Sequence, residues 1–336
     1  MDSVTQIVLG ASVAEAALGK KIGNKAMLWG AIAGTIPDLD VLLNFVTDEM
    51  TATVMHRGFS HSLLFCIIMA PFLGWLVHKM YRKKEATFKN WTWMFFLVLV
   101  THPLLDAHTA WGTQFFWPFE YRLAYKNIFV LDPLYTIPFF ILVLIAMFYR
   151  RTNPKRRKIN KWALIISSSY MLLTLVSKTV GWFTFKSALN EQQIAYTELD
   201  TSTTPLNSIL WNAQIETETG FVTGYYSLFD ESPISFFDEI PKNHHLVEPY
   251  KDAKEVQQLL EISQGLYLVK ETENGIHYTD MRFGQFGMEE DSPYVWQFSI
   301  TKTPDGKVKV ERLNFASEAI SFDEALSELF TRIKGI

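Results

Sequence analysis

The chain has 336 residues, 49% of them apolar and 20% charged, with a formal net charge of −4. That small value is the sum of two unlike halves: residues 1–185 carry 19 Lys and Arg against 10 Asp and Glu, and residues 186–336 carry 12 against 25. Nearly every long apolar run lies in the basic half, which excludes one soluble globule and a disordered chain, and the lone Cys66 excludes a disulfide scaffold.

A span of the bilayer needs about 20 mostly apolar residues. Two weak segments open the chain. Residues 4–18 are rich in small side chains and contain Glu15, and residues 26–46 are interrupted by Pro37-Asp38-Leu39-Asp40. Stronger apolar runs follow at 62–81, 91–105, 128–149 and 162–185. A cleaved leader is not expected, because Asp2 replaces a basic start and the first run ends in Lys20-Lys21.

Lys and Arg concentrate in alternate connections. Those at 20–25, 79–89 and 150–161 hold 15 of the 19 basic residues of the first half, including Lys20, Lys21, Arg82, Lys83, Lys84, Arg156 and Arg157. The positive-inside rule places such connections in the cytoplasm. The expectation is a multi-pass α-helical bundle of six membrane segments, one of them interrupted, with both ends outside. The basic residues stand in short blocks between apolar runs, so nucleic acid is not expected as a partner and membrane lipids are. In the outer connection at 107–127, Trp111, Phe115, Phe116, Trp117, Phe119, Tyr121 and Tyr125 suit either the headgroup level or packing over the bundle.

From about Lys186 the pattern changes. Alternation predicts strands over 208–214, 221–228, 266–270, 276–281, 294–300 and 307–313, and helical spacing predicts helices over 251–262 and 323–333. Ser321 stands three residues before Glu324, a capping-box pattern, and Glu273-Asn274-Gly275 suits a hairpin turn. Residues 186–336 therefore read as an acidic, soluble α+β domain of unknown role outside the membrane. It contains no catalytic motif. The adjacent His244-His245 suit a surface loop.

Ionisable groups in membrane segments are costly, and are paired or functional. Asp38, Asp40, His56, His61, His102, Asp106, His108 and Asp132 all reach the outer side in the threading above. His102 and Asp106 are four apart and share a helix face. His56 and His61 bracket a turn into a helix, and the Pro37 break presents Asp38 and Asp40. A mixed His/Asp set favours zinc or a similar divalent metal over calcium. Arg57 and Arg122 lie on the same side and suit a phosphate or carboxylate. Duller roles stay open for some: Asp132 before Pro133 suits a helix cap, as does Asp40, and His108 suits an interfacial loop. Glu15 belongs to the opposite half and suits a hydrogen bond to another helix.

Three motifs in this order, Gly34-Thr35-Ile36-Pro37-Asp38-Leu39-Asp40, His56-Arg57-Gly58-Phe59-Ser60-His61-Ser62 and His102-Pro103-Leu104-Leu105-Asp106, resemble the YdjM-like family over about residues 1–185. These bacterial proteins are described as LexA-binding, inner-membrane-associated, metal-dependent hydrolases. The resemblance implies a multi-pass inner-membrane protein with Asp38, His56, His61, His102 and Asp106 at the metal positions. It is also distantly similar to zinc-dependent phospholipase C, which implies a phosphoester substrate. Where family members often carry Thr-His near the start, this chain has Thr5-Gln6, and Gln is a poor metal ligand.

The expectation is a membrane-bound metal-dependent hydrolase with a lipid or phosphoester substrate. Its metal ligands are Asp38, His56, His61, His102 and Asp106, with catalytic roles for Asp40, Asp106 and Arg57. The competing expectation is a metal-stabilised scaffold or receptor without catalysis. A closed shell of four protein ligands favours structure, and three ligands plus water favour catalysis.

Overall fold

The computed structural model describes residues 1–81, 86–313 and 321–336; Arg82, Lys83 and Lys84 of the second basic connection lie outside the described residues. Backbone contacts divide the chain into two units. One holds Met1–Leu175 with Pro205–Asn207, and the other holds Val176–Thr204 with Ser208–Ile336.

The first unit is helical. Helix α1 (Ser3–Ala14) starts at Asp2, whose carboxylate accepts from the Thr5 amide at 3.0 Å. A π-helical turn, Glu15–Gly19, and the short α2 (Lys20–Ile22) continue it. Helix α3 (Asn24–Thr35) leads into a 3-10 stretch, Pro37–Phe45, bent from it by 45°. Pro37 lacks the amide hydrogen that would continue the helical ladder, so the bend falls where the ring sits. The remaining helices are α4 (Glu49–Met55), α5 (Leu63–Met80), α6 (Phe88–Asp106), α7 (Pro133–Met147) and α8 (Pro154–Glu191).

Helices α1 and α3 meet backbone to backbone. A Cβ added to Gly10 would lie 2.3 Å from the Gly30 carbonyl oxygen, and one added to Gly34 would lie 2.6 Å from that of Gln6. Only glycine permits this approach, the usual device of close helix pairs in membranes.

The two ends of the bundle differ in chemistry. At one end the basic connections meet: Arg151 donates to the Lys21 carbonyl, Lys21 Nζ lies 2.6 Å from Asn90 Oδ1, and Asn24 Nδ2 lies 3.1 Å from the Met147 carbonyl. Buried there, Glu15 takes a two-pronged ion pair from Arg156 of α8, Nε to Oε1 at 2.6 Å and Nη2 to Oε2 at 2.5 Å. At the other end stand Asp38, His61, His102 and Asp106.

The expectation of six membrane segments is not supported. By length and composition, α5 and an apolar stretch of α8 can cross a membrane, and α3 with its bent 3-10 continuation makes a third if the pair is one span. An apolar run overstates a helix wherever a cap shortens it. The run at 128–149 becomes a helix only from Pro133, because the Asp132 carboxylate accepts from the Leu134 and Tyr135 amides at 2.9 and 3.2 Å. The 15 residues of α7 reach about 22 Å against a hydrocarbon core of about 30 Å. Helix α1 has 12 residues before its π turn. Helix α6 has the length, but Lys89, Asn90, His102 and Asp106 dilute its apolar character.

In the second unit, strands β1 (Glu198–Thr203), β2 (Leu210–Glu216), β3 (Gly220–Ser227) and β4 (Ile240–Pro241) form one antiparallel sheet in chain order. Strands β5 (Tyr267–Thr272), β6 (Gly275–Asp280), β7 (Gln297–Lys302) and β8 (Val308–Leu313) form another. Thr272 pairs with Gly275 across the turn at Glu273-Asn274. Strand β2 is covered on both faces: Trp211, Ala213 and Ile215 pack with Phe185 and Leu189 of α8, and Leu210 packs with Leu329 of the last helix. Helix α9 (Lys254–Ser263) meets β6 where Ser263 Oγ and Tyr278 Oη lie 2.6 Å apart. Helix α10 (Phe322–Ile333) starts with the capping box of Ser321 and Glu324. His244 stacks on Tyr267 at 3.8 Å, its Nε2 2.7 Å from that residue's carbonyl oxygen.

Candidate metal centre

Three local devices bring the polar side chains of the first unit together. The bend at Pro37 turns Asp38 and Asp40 inward on a 3-10 stretch. Arg57 adopts a left-handed backbone (φ 59°) that reverses the chain between His56 and a 3-10 turn, Phe59–His61. Ser62 then caps α5, accepting from the Phe65 amide at 3.0 Å. His102 and Asp106 share a face at the end of α6.

Asp38, His61, His102 and Asp106 each offer one ligand atom, all within 4.8 Å of one another. His61 Nε2 lies 3.3 Å from Asp38 Oδ1 and 3.3 Å from Asp106 Oδ2. The same two oxygens lie 3.4 Å from His102 Nε2, and the two Nε2 atoms are 3.1 Å apart. His61, His102 and Asp106 are buried, and the Asp38 side chain is 25% exposed.

The hydrogen bonds behind the rings decide what these atoms can do. His102 Nδ1 is 2.7 Å from the Gly34 carbonyl oxygen, which only accepts, so the ring proton sits on Nδ1. Ser60 Oγ donates to Asp40 Oδ2 at 2.7 Å and so accepts from His61 Nδ1 at 3.0 Å. With both rings neutral, both Nε2 atoms present lone pairs, toward each other and toward two carboxylate oxygens. Asp106 Oδ2 is buried with no hydrogen-bond partner among the described residues. In that state four acceptors converge.

That arrangement fits a cation. A tetrahedral divalent ion with ligands at about 2.0–2.2 Å holds its donors about 3.3–3.6 Å apart. The five separations given above run from 3.1 to 3.4 Å. Two carboxylates balance the charge, and imidazole nitrogen excludes an oxygen-only calcium site.

The other expected residues surround this set. His56 lies outside it, its Nδ1 2.8 Å from Asp40 Oδ1. Asp40 also accepts from the Arg57 amide at 3.0 Å, so its carboxylate is bound on every side and faces the back of His61. Arg57 donates from Nη1 to Thr109 Oγ1 at 2.8 Å, with Nε 3.5 Å from Asp106 Oδ2. Arg122 donates to the His56 and Val54 carbonyls at 3.2 and 2.8 Å, bracing the end of α4. Asp132 caps α7 and also accepts from the Tyr170 hydroxyl at 2.9 Å. His108 Nδ1 meets Asn127 Oδ1 at 2.8 Å; burial pushes its pKa below the usual imidazole value, partly opposed by that bond.

Gln6 is buried but not among the four donors. Its Nε2 donates to Asp106 Oδ1 at 3.0 Å and to the His102 carbonyl at 3.3 Å, and the Met1 amine contacts the same Oδ1. Ser60, Thr109 and the Gly34 carbonyl also support the donors. Ser60 stood inside a quoted motif; a glycine carbonyl leaves no side-chain signal.

The loop at 107–127 is tied to the His56–His61 segment. The Gln114 amide donates to the Arg57 carbonyl at 3.0 Å and the Leu63 amide to that of Phe115 at 2.9 Å. Phe115 turns inward, and Phe116, Trp117, Phe119 and Tyr121 stay exposed.

The profile of the YdjM inner membrane protein family matches residues 1–181, more than half of the chain and all four donors. The chain belongs to that family. No curated protein and no solved structure matches it.

Proposed function

We propose that this YdjM-family protein is a membrane-bound, metal-dependent hydrolase whose site opens on the outer side of the inner membrane. Asp38, His61, His102 and Asp106 would hold the ion, with zinc the best fit to a set of two imidazoles and two carboxylates. The observation that carries this reading is the convergence of two imidazole nitrogens and two carboxylate oxygens within 4.8 Å of one another. Such an ion supplies Lewis acidity toward an ester or phosphoryl oxygen.

The chain's own groups have separable tasks. Asp40 acts through His61: with Ser60 it keeps the proton on Nδ1 and the lone pair on Nε2. Arg57, held by Thr109, sets a positive charge beside Asp106 that favours an anionic phosphoester. Asp38 is the partly exposed donor, so substrate approaches from its side. The exposed Phe116, Trp117, Phe119 and Tyr121 suit a lipid or another amphipathic ester.

Helices α3, α5 and α6 each join the basic end of the bundle to the donor end, which supports the outer placement without requiring six spans. Helix α8 starts in the basic connection, so the same rule puts the C-terminal unit outside. A second reading, a metal-stabilised scaffold or receptor, is favoured by one observation: four protein donors can close a tetrahedral shell.

The test is metal content of the purified protein with hydrolysis of phospholipids and a chromogenic phosphodiester. Stoichiometric zinc and turnover, both lost in His61→Ala and His102→Ala, are expected. Unchanged metal in both variants would sink the site, and bound metal without turnover on any ester would favour the scaffold.

A further inference from the structure

The opposite, basic end of the first unit contains a cavity of about 830 Å³ that the metal centre does not use. Lys20, Lys21, Arg157, Lys158 and Lys161 line it. Its walls are the turn from α1 into α2 and the first turns of α8, and these run antiparallel. Three contacts fix that register: Ser12 Oγ to Asn160 Oδ1 at 2.9 Å, Arg156 Nε to Glu15 Oε1 at 2.6 Å, and Arg151 to the Lys21 carbonyl. The lysines of one wall therefore stand level with Arg151, and Arg157 and Lys158 lie about 9 Å further along the other wall, level with Glu15.

Both walls change character in the same direction. Along α8, positions 157, 158, 161, 164, 165 and 168 share one helix face. That face is cationic for its first turn and continues as Leu164 and Ile165. On the opposite wall, Lys20 and Lys21 give way to Ala16, Ala17 and Leu18. Along its α8 wall the cavity is thus positive first and apolar about 10 Å further along the helix axis.

The charges are available to a ligand. Among the described residues, Lys20, Arg157, Lys158 and Lys161 form no ion pair with a carboxylate, and Lys21 meets only the Asn90 side-chain oxygen. Glu15 also lines the cavity, but both its oxygens are taken by Arg156. Cations in excess over an apolar floor would leave self-repulsion uncompensated unless an anion joined them.

We propose that this cavity binds an anionic phospholipid, its phosphodiester among Lys20, Arg157, Lys158 and Lys161 and its acyl chains along Leu164 and Ile165. Basic pockets between helices at a cytoplasmic face have this chemistry. A free phosphate would use the same cations but not the apolar floor, so the two are separable.

The test is native mass spectrometry of the full-length protein, released from detergent after incubation with phosphatidylglycerol or with phosphatidylcholine of the same acyl chains. Phosphatidylglycerol is expected to be retained at least tenfold more, with inorganic phosphate at millimolar concentration failing to displace it. The triple variant R157Q/K158Q/K161Q is expected to lose about 100-fold, about fivefold for each charge removed. Lys161→Arg keeps the charge and should keep the lipid, as should Lys155→Gln, a change in the same connection but off the cavity wall. Equal retention of the two lipids by the wild-type protein overturns the proposal without reference to any variant. So does displacement by phosphate, which means a free-anion site, or an equal loss in Lys155→Gln, which means diffuse charge only.

Discussion

Two buried polar clusters of the first unit, at opposite ends of its bundle, differ in a way that separates structure from chemistry. In the buried cluster at the basic end, both charged groups have a complement: Glu15 accepts twice from Arg156, which also donates to Asn24 Oδ1 at 2.5 Å and to the Tyr149 carbonyl at 2.9 Å. Donors equal acceptors and the cluster is closed. At the other end, two imidazole lone pairs and two carboxylate oxygens face one another, and Asp106 Oδ2 has no hydrogen bond among the described residues. Burial alone does not mark a ligand site; an imbalance of donors and acceptors does.

The largest effect should come from breaking the closed cluster. Arg156→Met strands the Glu15 carboxylate and should cost about 3–5 kcal/mol in unfolding of the detergent-solubilised protein. Glu15→Leu with Arg156→Met should recover most of that loss, since an apolar pair replaces a buried ion pair at little cost. No such double replacement exists for the open cluster, where removing two donors would abolish the capacity to hold an ion.

A middle effect tests the support of the open cluster. Asp40→Asn keeps the size of the side chain but weakens its hold on His61, and should lower metal affinity about 10–100-fold in a chelator competition. Asp132→Ala should be the smallest. Loss of the α7 cap and of the Tyr170 hydroxyl's acceptor costs about 1–2 kcal/mol in thermal unfolding and leaves metal content unchanged. A drop in metal content in that variant would mean that Asp132 is more than a cap.

Much of this contrast can be read in the sequence, and some cannot. His102 and Asp106 at helical spacing, and Asp38 behind a proline, name three of the four donors by local rules. His56 and His61 are equivalent in a one-dimensional reading; which of them reaches the donor set depends on the left-handed turn at Arg57. The partner of Glu15 is 141 residues away, and no pattern of spacing links them. Hydropathy overstates the number of spans because it measures composition, whereas a span needs continuous helix; the cap at Asp132 and the π turn at Glu15 interrupt it. In the second unit, six strands follow from alternation, but β1, Glu-Leu-Asp-Thr-Ser-Thr, has no apolar rhythm and exists through its pairing with β2.

The backbone contact between α1 and α3 has a consequence for evolution and for engineering. Gly34 presses against Gln6 through its missing side chain while its carbonyl fixes the proton of His102. A methyl group at Gly34 would push α1 away and shift that carbonyl together with Gln6, which steadies Asp106 from the other side. Two metal donors would move at once, although neither residue had changed. A residue with no functional group therefore belongs to the functional inventory, and a catalogue of reactive side chains would omit it.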